Sequence, residues 1–591
     1  MTRIAIVDRN LCNPLKCNLE CMRGCPSNRL RKECTFLVDK KTGEKHIDFK
    51  YEYSKEIRSN SVAFIEPALS QGCNICAKAC PFHAINVVNL PQAKEEEMVF
   101  SYGKNGFSLY KMAIPRTGIV AIVGENGCGK STNLKLIAKK LAPLKTPTKE
   151  IKEYFEKTKE GDLVYKPQEI SGEGERRKVS ELLEKTANVG AGIGGNSKKS
   201  VGAGGKQNGT GTRLAEMTKL FDLGKIYDRE LQQLSGGELQ KVIITAALLH
   251  EKDIYFLDEP FSFLDYVYRV RLINYLLENF QQKKVVIVDH DISLLSYLCK
   301  QSYLMFGEAS AYGIVSQIYA TDRAINMFME GFIAPENMKF REESIAYKHY
   351  VEETHKNKLL ELGVAKIRRG EFTLENASPI KINEGEIVGI AGKNGIGKST
   401  FCRDVFEKNG GGTAFKEQVL RREGGIAGKY LQRNDLFSEN YIRTMKMKKL
   451  EFYEISKLSG GELQKLEIYK TLNQEKKVYI LDEPTNMLDV SARISLSKML
   501  RERVAADRAV IVVDHDLEFL YNTVDRLIVM DGKSGENGFV KGIFSKEEGV
   551  RMLMEEFDLS YRKDPETKRL KLNKQGSKKD VKLKGEGRFV E

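Results

Sequence analysis

The chain has 591 residues, of which 41% are hydrophobic and 30% charged, a composition typical of a soluble globular protein with roughly three to four domains. Lysine and arginine total 95 and aspartate and glutamate 81, which leaves a net charge of +14. No stretch approaches the ~18 to 20 apolar residues of a membrane-spanning helix, and the start MTRIAIVDRNLC lacks the apolar segment of a secretory signal, so we expect a cytoplasmic protein.

Cysteines are concentrated near the start of the chain. Eight of the eleven lie in the first 80 residues, namely Cys12, Cys17, Cys21, Cys25, Cys34, Cys73, Cys76 and Cys80. Such a cluster, followed by about 500 residues typical of a cytosolic enzyme, indicates a metal site rather than a disulfide scaffold. The spacing is C-x4-C-x3-C-x3-C-P from Cys12 to Pro26 and S-x2-C-x2-C-x3-C-P from Ser70 to Pro81.

These two runs resemble those of a two-cluster bacterial ferredoxin, in which the last cysteine of each run binds the cluster of the other. The resemblance implies one 4Fe-4S cluster on Cys12, Cys17, Cys21 and Cys80, and a second on Cys25, Cys73 and Cys76, with Ser70 in place of a fourth cysteine. Because serine is a poor soft ligand, the sequence leaves the second cluster open: serine-ligated, three-iron, absent, or completed by Cys34. Structural zinc is the alternative.

The rest of the chain contains the same set of motifs twice. The loops GENGCGKST and GKNGIGKST each follow an apolar run that predicts a strand and precede a helical pattern. LSGGELQK follows in both copies, then IYFLDEP or VYILDEP, then VVIVDHD or VIVVDHD. Ser235 and Ser459 are 224 residues apart, as are Asp258 and Asp482, which indicates duplication of one unit.

These motifs predict two ATP sites. Glycine-rich loops leave backbone N–H groups free to bind phosphate at a helix N-terminus. The predicted phosphate ligands are Gly124, Asn126, Gly127, Gly129, Lys130, Ser131 and Thr132, and Gly392, Asn394, Gly395, Gly397, Lys398, Ser399 and Thr400. Ser131 with Asp258, and Ser399 with Asp482, are predicted to hold Mg²⁺. Glu259 and Glu483 are the predicted catalytic carboxylates, with His290 and His515 facing the γ-phosphate.

In this order the motifs resemble the ATP-binding-cassette (ABC) family. The resemblance implies that each LSGGE segment completes the site of the opposite cassette. The first loop would meet Ser459, Gly460 and Gly461, and the second Ser235, Gly236 and Gly237, with Asp265 and Asp489 at the seam. It also implies a glutamine near Mg²⁺ in each cassette, Gln168 in KPQ and Gln432 in KYLQR. Tyr102 or Phe107, and Phe372, are candidates to stack on adenine.

Three segments fall outside the cassette motifs. Residues 188–213 are glycine-rich and predict a flexible surface loop without chemistry. Residues 309–345 link the two copies as a structured hinge. Residues 561–588 contain eleven basic and four acidic side chains, and residues 1–34 seven and three, so the ends carry most of the net positive charge of +14. Such basic ends favour either a solvated surface or a polyanionic partner such as RNA.

The cysteine motifs, the TRIAIVD start, the FREES segment and the closing SYRKDP together resemble subfamily E of the ABC proteins, the ribosome recycling ATPases or RNase L inhibitor (Rli) family. The resemblance implies an ATPase that splits ribosomes after termination or rescue, using cassette closure to move an iron–sulfur domain, and then binds the small subunit. Implied cofactors are ATP, Mg²⁺ and two 4Fe-4S clusters. Implied partners are the ribosome and its RNA, a release factor or Pelota-type rescue factor, and initiation factors, with the chain a monomer and no membrane involved. The RNA-contact candidates are Arg323, Arg341, Arg562, Lys563, Arg569 and Lys574.

We therefore predict an α/β protein with two P-loop NTPase domains of the ABC type and an N-terminal ferredoxin-like α+β domain. The predicted boundaries are 1–95 for the iron–sulfur domain, 96–308 for cassette 1, 309–345 for hinge 1, 346–555 for cassette 2, and 556–591 for hinge 2 and a basic tail. The alternatives are an F-type ABC translation factor that acts on ribosomes without splitting them, and an ATP-coupled electron-transfer protein.

Overall fold

The computed structural model describes residues 2–67, 69–70, 72–90, 95–103, 105–168, 174–190, 209–347, 357–431, 435–504, 507–564 and 569–590. Within these ranges no helix has the length and apolar character needed to cross a membrane.

Short helices and two small sheets form the N-terminal domain. Its elements are β1 (Thr2–Val7), α1 (Glu20–Arg23), α2 (Pro26–Arg29), β2 (Thr35–Asp39), β3 (Lys45–His46), α3 (Lys55–Asn60), β4 (Ser61–Ile65), α4 (Ile75–Ala79) and β5 (Ile85–Leu90). β1 pairs antiparallel with β5, and the second sheet has the order β3-β2-β4. Proline follows both Cys25 and Cys80 directly. Pro26 is the first residue of helix α2, a position that proline favours, whereas helix α4 ends at Ala79, before Cys80.

Cassette 1 is built on strands whose residues are buried on both faces, as expected of a sheet covered by helices. Its elements are β6 (Met98–Ser101), β7 (Ser108–Tyr110), β8 (Gly118–Gly124), α5 (Lys130–Ile137), α6 (Lys149–Lys157), β9 (Leu163–Lys166), α7 (Val179–Gly190), α8 (Gly209–Leu220), α9 (Gly236–Leu249), β10 (Ile254–Asp258), α10 (Tyr266–Asn279), β11 (Lys284–Val288), α11 (Ile292–Leu298), β12 (Gln301–Glu308), β13 (Tyr312–Ala320), α12 (Thr321–Glu330), β14 (Phe332–Ile333) and β15 (Met338–Lys339). The eight-stranded sheet has the order β6-β7-β13-β12-β8-β11-β10-β9.

Cassette 2 repeats this architecture. Its elements, with those of the C-terminal segment, are β16 (Lys358–Leu362), β17 (Ala365–Arg369), β18 (Phe372–Asn376), β19 (Ile380–Asn383), β20 (Ile387–Ala391), α13 (Lys398–Asn409), β21 (Thr413–Lys416), α14 (Leu436–Thr444), α15 (Gly460–Leu472), β22 (Val478–Asp482), α16 (Val490–Val504), β23 (Ala509–Val513), α17 (Leu517–Thr523), β24 (Arg526–Lys533), β25 (Asn537–Ser545), α18 (Lys546–Phe557), β26 (Tyr561–Lys563), β27 (Leu570–Leu572) and α19 (Lys578–Gly585). The sheet order β17-β18-β25-β24-β20-β23-β22-β21 matches that of cassette 1 strand for strand.

The equivalent sheets place the nucleotide motifs at equivalent points. In cassette 1, β8 pairs in parallel with β11, which pairs in parallel with β10, so the ends that carry the phosphate loop, His290 and Asp258 lie at one edge. Strands β20, β23 and β22 do the same in cassette 2. The predicted fold class, two ABC-type P-loop domains with a ferredoxin-like domain, is confirmed by this topology and by the similarities reported below.

The structure corrects two predicted boundaries. Cassette 1 does not end at residue 308, because β13 pairs with both β12 and β7 inside its sheet up to Ala320. The glycine-rich loop is shorter than residues 188–213, because α7 continues to Gly190 and α8 begins at Gly209. The remainder of that loop, residues 191–208, lies outside the described residues.

The C-terminal segment is folded onto cassette 1 rather than forming a simple basic tail. β26 pairs antiparallel with β27, and Leu570, Leu572 and Leu583 are buried. The Ser293 hydroxyl on α11 lies within hydrogen-bond distance of both the Leu570 carbonyl (2.7 Å) and Glu518 Oε2 (2.8 Å). Cassette 1, cassette 2 and the C-terminal segment therefore meet around the buried side chain of Ser293.

Candidate functional site

Each phosphate loop is held open at the start of a helix. Gly129 and Gly397 lie at the N-caps of α5 and α13 with φ of 94° and 93°, where a side chain would be strained and would collide with the rings of Phe107 and Phe372. Lys130 Nζ donates hydrogen bonds to the carbonyls of Gly124 (2.7 Å) and Glu125 (2.8 Å), which places its ammonium directly over the loop. The loop can therefore bind phosphate through both its amides and a buried cation.

Lys398 has the same arrangement, with hydrogen bonds from Nζ to the carbonyls of Gly392 (3.0 Å) and Lys393 (2.6 Å). The two aromatic rings that pack under the loops, Phe107 and Phe372, occupy equivalent places. Tyr102 does not share their position, since it is exposed and packs edge-on against Phe100.

The aspartates that end strands β10 and β22, Asp258 and Asp482, have buried carboxylate oxygens without hydrogen-bond partners among the described residues. Asp258 ends β10 with 1% of its surface exposed, and neither carboxylate oxygen has a hydrogen-bond partner among the described residues. Burial, reinforced by the charge of Glu259, raises the pKa of Asp258 to about 6. In cassette 2, Asp482 Oδ1 is unsatisfied in the same way. Buried carboxylate oxygens without partners, beside the hydroxyls of Ser131 and Ser399, fit a hard divalent cation such as Mg²⁺.

The glutamate that follows in cassette 1 is held by three side chains. Glu259 Oε1 lies 3.2 Å from His290 Nε2 and accepts a hydrogen bond from Gln168 Nε2 (2.5 Å), while Oε2 accepts one from Ser262 (3.1 Å). Burial alone would raise its pKa, but His290, Lys130 and Ser262 outweigh burial and lower the pKa of Glu259 to about 2. The carboxylate is therefore charged and oriented at neutral pH.

Glu483 repeats this geometry in cassette 2. Its Oε1 lies 3.3 Å from His515 Nε2, and its pKa is lowered to about 2 because the charges of His515 and Lys398 and the hydrogen bond from Gln418 outweigh burial. Both glutamates adopt a φ of 48°, and their backbone amides donate to the carbonyls of Val288 (2.7 Å) and Val513 (2.8 Å).

The glutamine of cassette 2 requires a correction. Gln168 follows β9 by two residues, and the residue in the same relation to β21 is Gln418, not Gln432. Gln418 Nε2 donates to Glu483 Oε1 (2.7 Å), as Gln168 does to Glu259. Gln432 lies outside the described residues.

Two further pairs of equivalent residues, which the motifs did not indicate, support the Asp-Glu turn at residues 258–259 and 482–483. Lys166 and Lys416 end β9 and β21, and their ammonium groups donate to the carbonyls of Asp258 (2.8 Å) and Asp482 (2.9 Å). Burial lowers the pKa of each lysine to about 8. Gln240 and Gln464, on the helices that begin after the signature serines, donate to the carbonyls of Glu259 (3.0 Å) and Glu483 (2.8 Å). In the sequence, these residues could have been found from the patterns K-x-Q and SGGELQ, which both cassettes share.

Each phosphate loop faces the opposite cassette across the seam. The Asn126 amide donates to Asp489 Oδ2 (2.8 Å), and a β-carbon on Gly461 would lie 3.5 Å from Asn126 Nδ2. In the other half, the Asn394 amide donates to Asp265 Oδ2 (3.2 Å). Asp265 and Asp489 also accept hydrogen bonds from the first turns of their own helices. The structure thus brings each phosphate loop to the LSGGE segment of the opposite cassette, called the signature segment below. It also brings each loop to the aspartate of the opposite cassette, Asp489 or Asp265.

The signature segments start helices α9 and α15. Ser235 and Ser459 are the N-caps, and each forms a capping box with Glu238 or Glu462. The glycines that follow are packed tightly: a β-carbon on Gly237 would lie 2.8 Å from the carbonyl of Phe263, and one on Gly461 2.8 Å from that of Met487. Gly236 and Gly460 begin the two helices. Glycine at these positions therefore lets each LSGGE segment pack closely against its own cassette.

In the N-terminal domain the cysteines surround two separate cavities. One is lined by Cys12, Cys17, Cys21 and Cys80, and the other by Cys25, Cys34, Ser70, Cys73 and Cys76. These are the two sets that the ferredoxin resemblance implied. Burial raises the pKa of Cys12 and of Cys76 to about 11, so a metal must displace these protons on binding. Among the described residues no three His, Cys, Asp or Glu side chains converge on one ion.

Comparisons with known proteins agree with this geometry. The ABC transporter family model matches residues 108–262 and 404–486, and the model of a possible Fer4-like domain in RNase L inhibitor, RLI, matches residues 2–33. An uncharacterised ABC transporter ATP-binding protein of Methanocaldococcus jannaschii is 35% identical, covering 99% of this chain and 97% of its own. Translation initiation factor RLI1 of Chaetomium thermophilum is 31% identical, with 100% and 97% covered, and ABC transporter E family member 1 of Arabidopsis thaliana is 30% identical, with 100% and 98% covered.

The chain belongs to subfamily E of the ABC proteins, the RNase L inhibitor family. The solved structure of ABCE1 in a model of ribosome-bound archaeal Pelota and ABCE1 superposes with a TM-score of 0.84 at 32% identity, covering 100% of this chain and 99% of that one. ABCE1 in complex with the archaeal ribosomal stalk protein aP1 gives a TM-score of 0.73 at 32% identity, covering 84% and 99%. This subfamily E protein is accordingly an ABC-type ATPase with an iron–sulfur domain.

The structure separates the RNA-contact candidates of this subfamily E protein into exposed and internal residues. Arg323, Lys563 and Lys574 are exposed, and Arg562 is half-buried with a hydrogen bond to Asn573 Oδ1 (2.7 Å).

Two candidates are corrected. Arg569 has no exposed surface and lies near the buried Glu518. Arg341 pairs with Glu125 Oε1 (3.1 Å) of the first phosphate loop and donates to the Phe328 carbonyl (2.8 Å). These two side chains serve the fold.

Proposed function

We propose that this subfamily E protein splits ribosomes after termination or rescue, by closing its two cassettes on ATP and thereby moving its iron–sulfur domain. The observation that carries the proposal is the seam, where Asn126 contacts Asp489 and Asn394 contacts Asp265. Because each site is completed by the other cassette, ATP binding favours the closed arrangement, and its energy becomes available as motion. The Fer4-like match argues against the F-type alternative.

The chain's own residues account for hydrolysis. Loop amides with Lys130 and Lys398 bind and orient the phosphates. Ser131 with Asp258, and Ser399 with Asp482, would hold Mg²⁺, which would supply positive charge to the phosphates when bound. Glu259 and Glu483, charged because their pKa is near 2, orient the attacking water with Gln168 and Gln418. His290 and His515 fix those carboxylates and face the γ-phosphate.

Contacts on two sides connect the iron–sulfur domain to closure. Asn105 of cassette 1 donates to the carbonyls of Ala5 (3.0 Å) and Ile65 (2.8 Å). On the other side, Tyr453 of cassette 2 hydrogen-bonds Asp8, and His83 packs against the Phe452 ring at 5.2 Å. A domain fixed to cassette 1 and touching cassette 2 is displaced when the cassettes change their relative position.

The proposed partners follow from the solved relatives and from charge. The solved ABCE1 relatives are described with Pelota on the ribosome and with a ribosomal stalk protein. We extend this to a cytoplasmic monomer that acts on ribosomes carrying a release factor or Pelota-type factor, remains on the small subunit, and meets initiation factors there. Arg323, Arg562, Lys563 and Lys574 are the remaining candidates for ribosomal RNA.

Sucrose-gradient analysis of ribosomes tests this proposal. The Glu259→Gln/Glu483→Gln double variant should lower ATP turnover about 10²- to 10⁴-fold. It should split ribosomes once with ATP and then sediment with the small subunit, whereas the unmodified protein is released. Glu278→Gln, at an exposed glutamate of α10, serves as the matched control and should behave like the unmodified protein. Splitting and release that are unchanged in the double variant would refute the mechanism.

A further inference from the structure

The second cysteine-lined cavity has five candidate donors for four ligand positions. Cys25, Cys73 and Cys76 line it, together with Ser70 and Cys34. We propose that Cys34, not Ser70, is the fourth ligand of the second iron–sulfur cluster. This inference rests on the iron–sulfur part of the proposed function and is independent of ribosome splitting.

Cys34 is held in place by its backbone. It directly precedes β2, its amide donates to Asn28 Oδ1 (3.1 Å), and its carbonyl accepts from the Glu66 amide (2.7 Å). Asn28 is itself buried and also bridges both backbone groups of Thr35, at 2.9 and 2.7 Å. Because Asn28 uses both its side-chain oxygen and its side-chain nitrogen in these hydrogen bonds, it fixes the position of the Cys34 backbone.

The Cys34 sulfur is next to a predicted ligand. Only 3% of Cys34 is exposed, and Cys34 lines the same cavity as Cys25. Cys25 is the cysteine that closes the first motif and lines the second cavity. Cys34 therefore shares with Cys25 a buried, sulfur-lined wall of the cavity, where both thiols can bind a cluster.

Ser70 is the weaker donor on chemical grounds. Its hydroxyl is half-buried and accepts a hydrogen bond from the Gly72 amide (3.4 Å). Iron–sulfur clusters prefer soft thiolates, and a serine hydroxyl holds its proton far more strongly than a thiol does. With Cys34 bound, each of four thiols releases one proton to solvent and forms one S–Fe bond, without any change in the oxidation state of the cluster.

Iron and acid-labile sulfide, counted per full-length chain purified without oxygen, test the assignment. The unmodified protein should hold about eight irons and eight sulfides, as two 4Fe-4S clusters. Cys34→Ala should hold about seven irons, with the EPR signal of an oxidised three-iron cluster, or about four if the second cluster is lost. Ser70→Ala should keep about eight. Cys299→Ala, at a cysteine of equal burial in cassette 1, is the matched control and should also keep about eight.

A rescue variant separates ligation from folding. The double variant Cys34→Ala/Ser70→Cys recreates a four-cysteine second motif and should recover about eight irons and lose the three-iron signal. The proposal is overturned if Ser70→Ala loses iron while Cys34→Ala does not, if neither does, or if the rescue variant stays depleted. An unmodified protein that contains no iron would instead refute the iron–sulfur domain itself, whatever its effect on ribosomes.

Discussion

At the scale of single residues, the local motif did not identify the glutamine of the second cassette. Its contact with Glu483 in the folded protein does. The ABC resemblance implies Gln432, in KYLQR, yet Gln418 repeats the relation of Gln168 to its strand and its glutamate. The signal in the sequence was the lysine two positions earlier, in KPQ and KEQ. That lysine has a structural role, which motif comparison alone does not reveal.

We predict that Gln418→Ala lowers the rate of ATP hydrolysis on the order of 10- to 100-fold, because it removes a partner that orients Glu483 beside the metal site. Gln432→Ala, at the position that motif comparison favoured, should leave the rate nearly unchanged. Steady-state phosphate release from both variants measures this difference. Equal losses in the two variants, or a loss confined to Gln432→Ala, would restore the original assignment.

Charged residues of the C-terminal segment differ in burial, which their local sequence does not disclose. We predict that Arg569→Met lowers the free energy of unfolding by about 3–5 kcal/mol, because it removes a fully buried cation that interacts electrostatically with Glu518. Lys574→Ala, on the exposed surface, should change stability by no more than about 0.5 kcal/mol and instead weaken ribosome binding at physiological salt. Denaturant unfolding and ribosome co-sedimentation separate the two effects, and an Arg569→Met protein of normal stability would contradict the buried pair.

At the scale of elements, strands and motif loops were predictable because their causes are local. Apolar runs such as IVAIV become buried parallel strands, and glycine with lysine at fixed spacing defines the phosphate loops. The hinge was less predictable, because β13 joins the cassette 1 sheet through pairing with β7, about 200 residues upstream. The role of Cys34 could not be predicted for the same reason, since its cavity is assembled from several separate segments of the chain.

The joint between the iron–sulfur domain and cassette 1 depends on Asn105. Asn105→Ala should leave the Ala5 and Ile65 carbonyls and the Ile65 amide without partners, at about 1–3 kcal/mol for each buried group. We expect faster hydrogen exchange in β1 and β4. Tyr453→Phe, which removes the contact to cassette 2 but keeps the Asn105 joint, should leave exchange in β4 slow. Slow exchange in the Asn105→Ala variant would show that the joint lies elsewhere.

At the scale of the whole molecule, the positive charge divides into parts with different roles. The N-terminal share surrounds the cysteine-lined domain, while part of the C-terminal share is buried in the seam between the cassettes. Ser293 and Tyr266 of cassette 1 both bind the C-terminal segment, through Leu570 and Tyr561. Closure of the two cassettes and placement of this segment are therefore linked mechanically.

The central claim is that closure on ATP, rather than hydrolysis, splits the ribosome. Stopped-flow light scattering of ribosomes mixed with the purified protein and a rescue factor measures splitting directly. With a non-hydrolysable ATP analogue, scattering should fall once, with an amplitude that matches one ribosome per protein, and it should not fall with ADP. Equal splitting with ADP, or splitting with ATP but none with an analogue that binds both sites, would contradict the account.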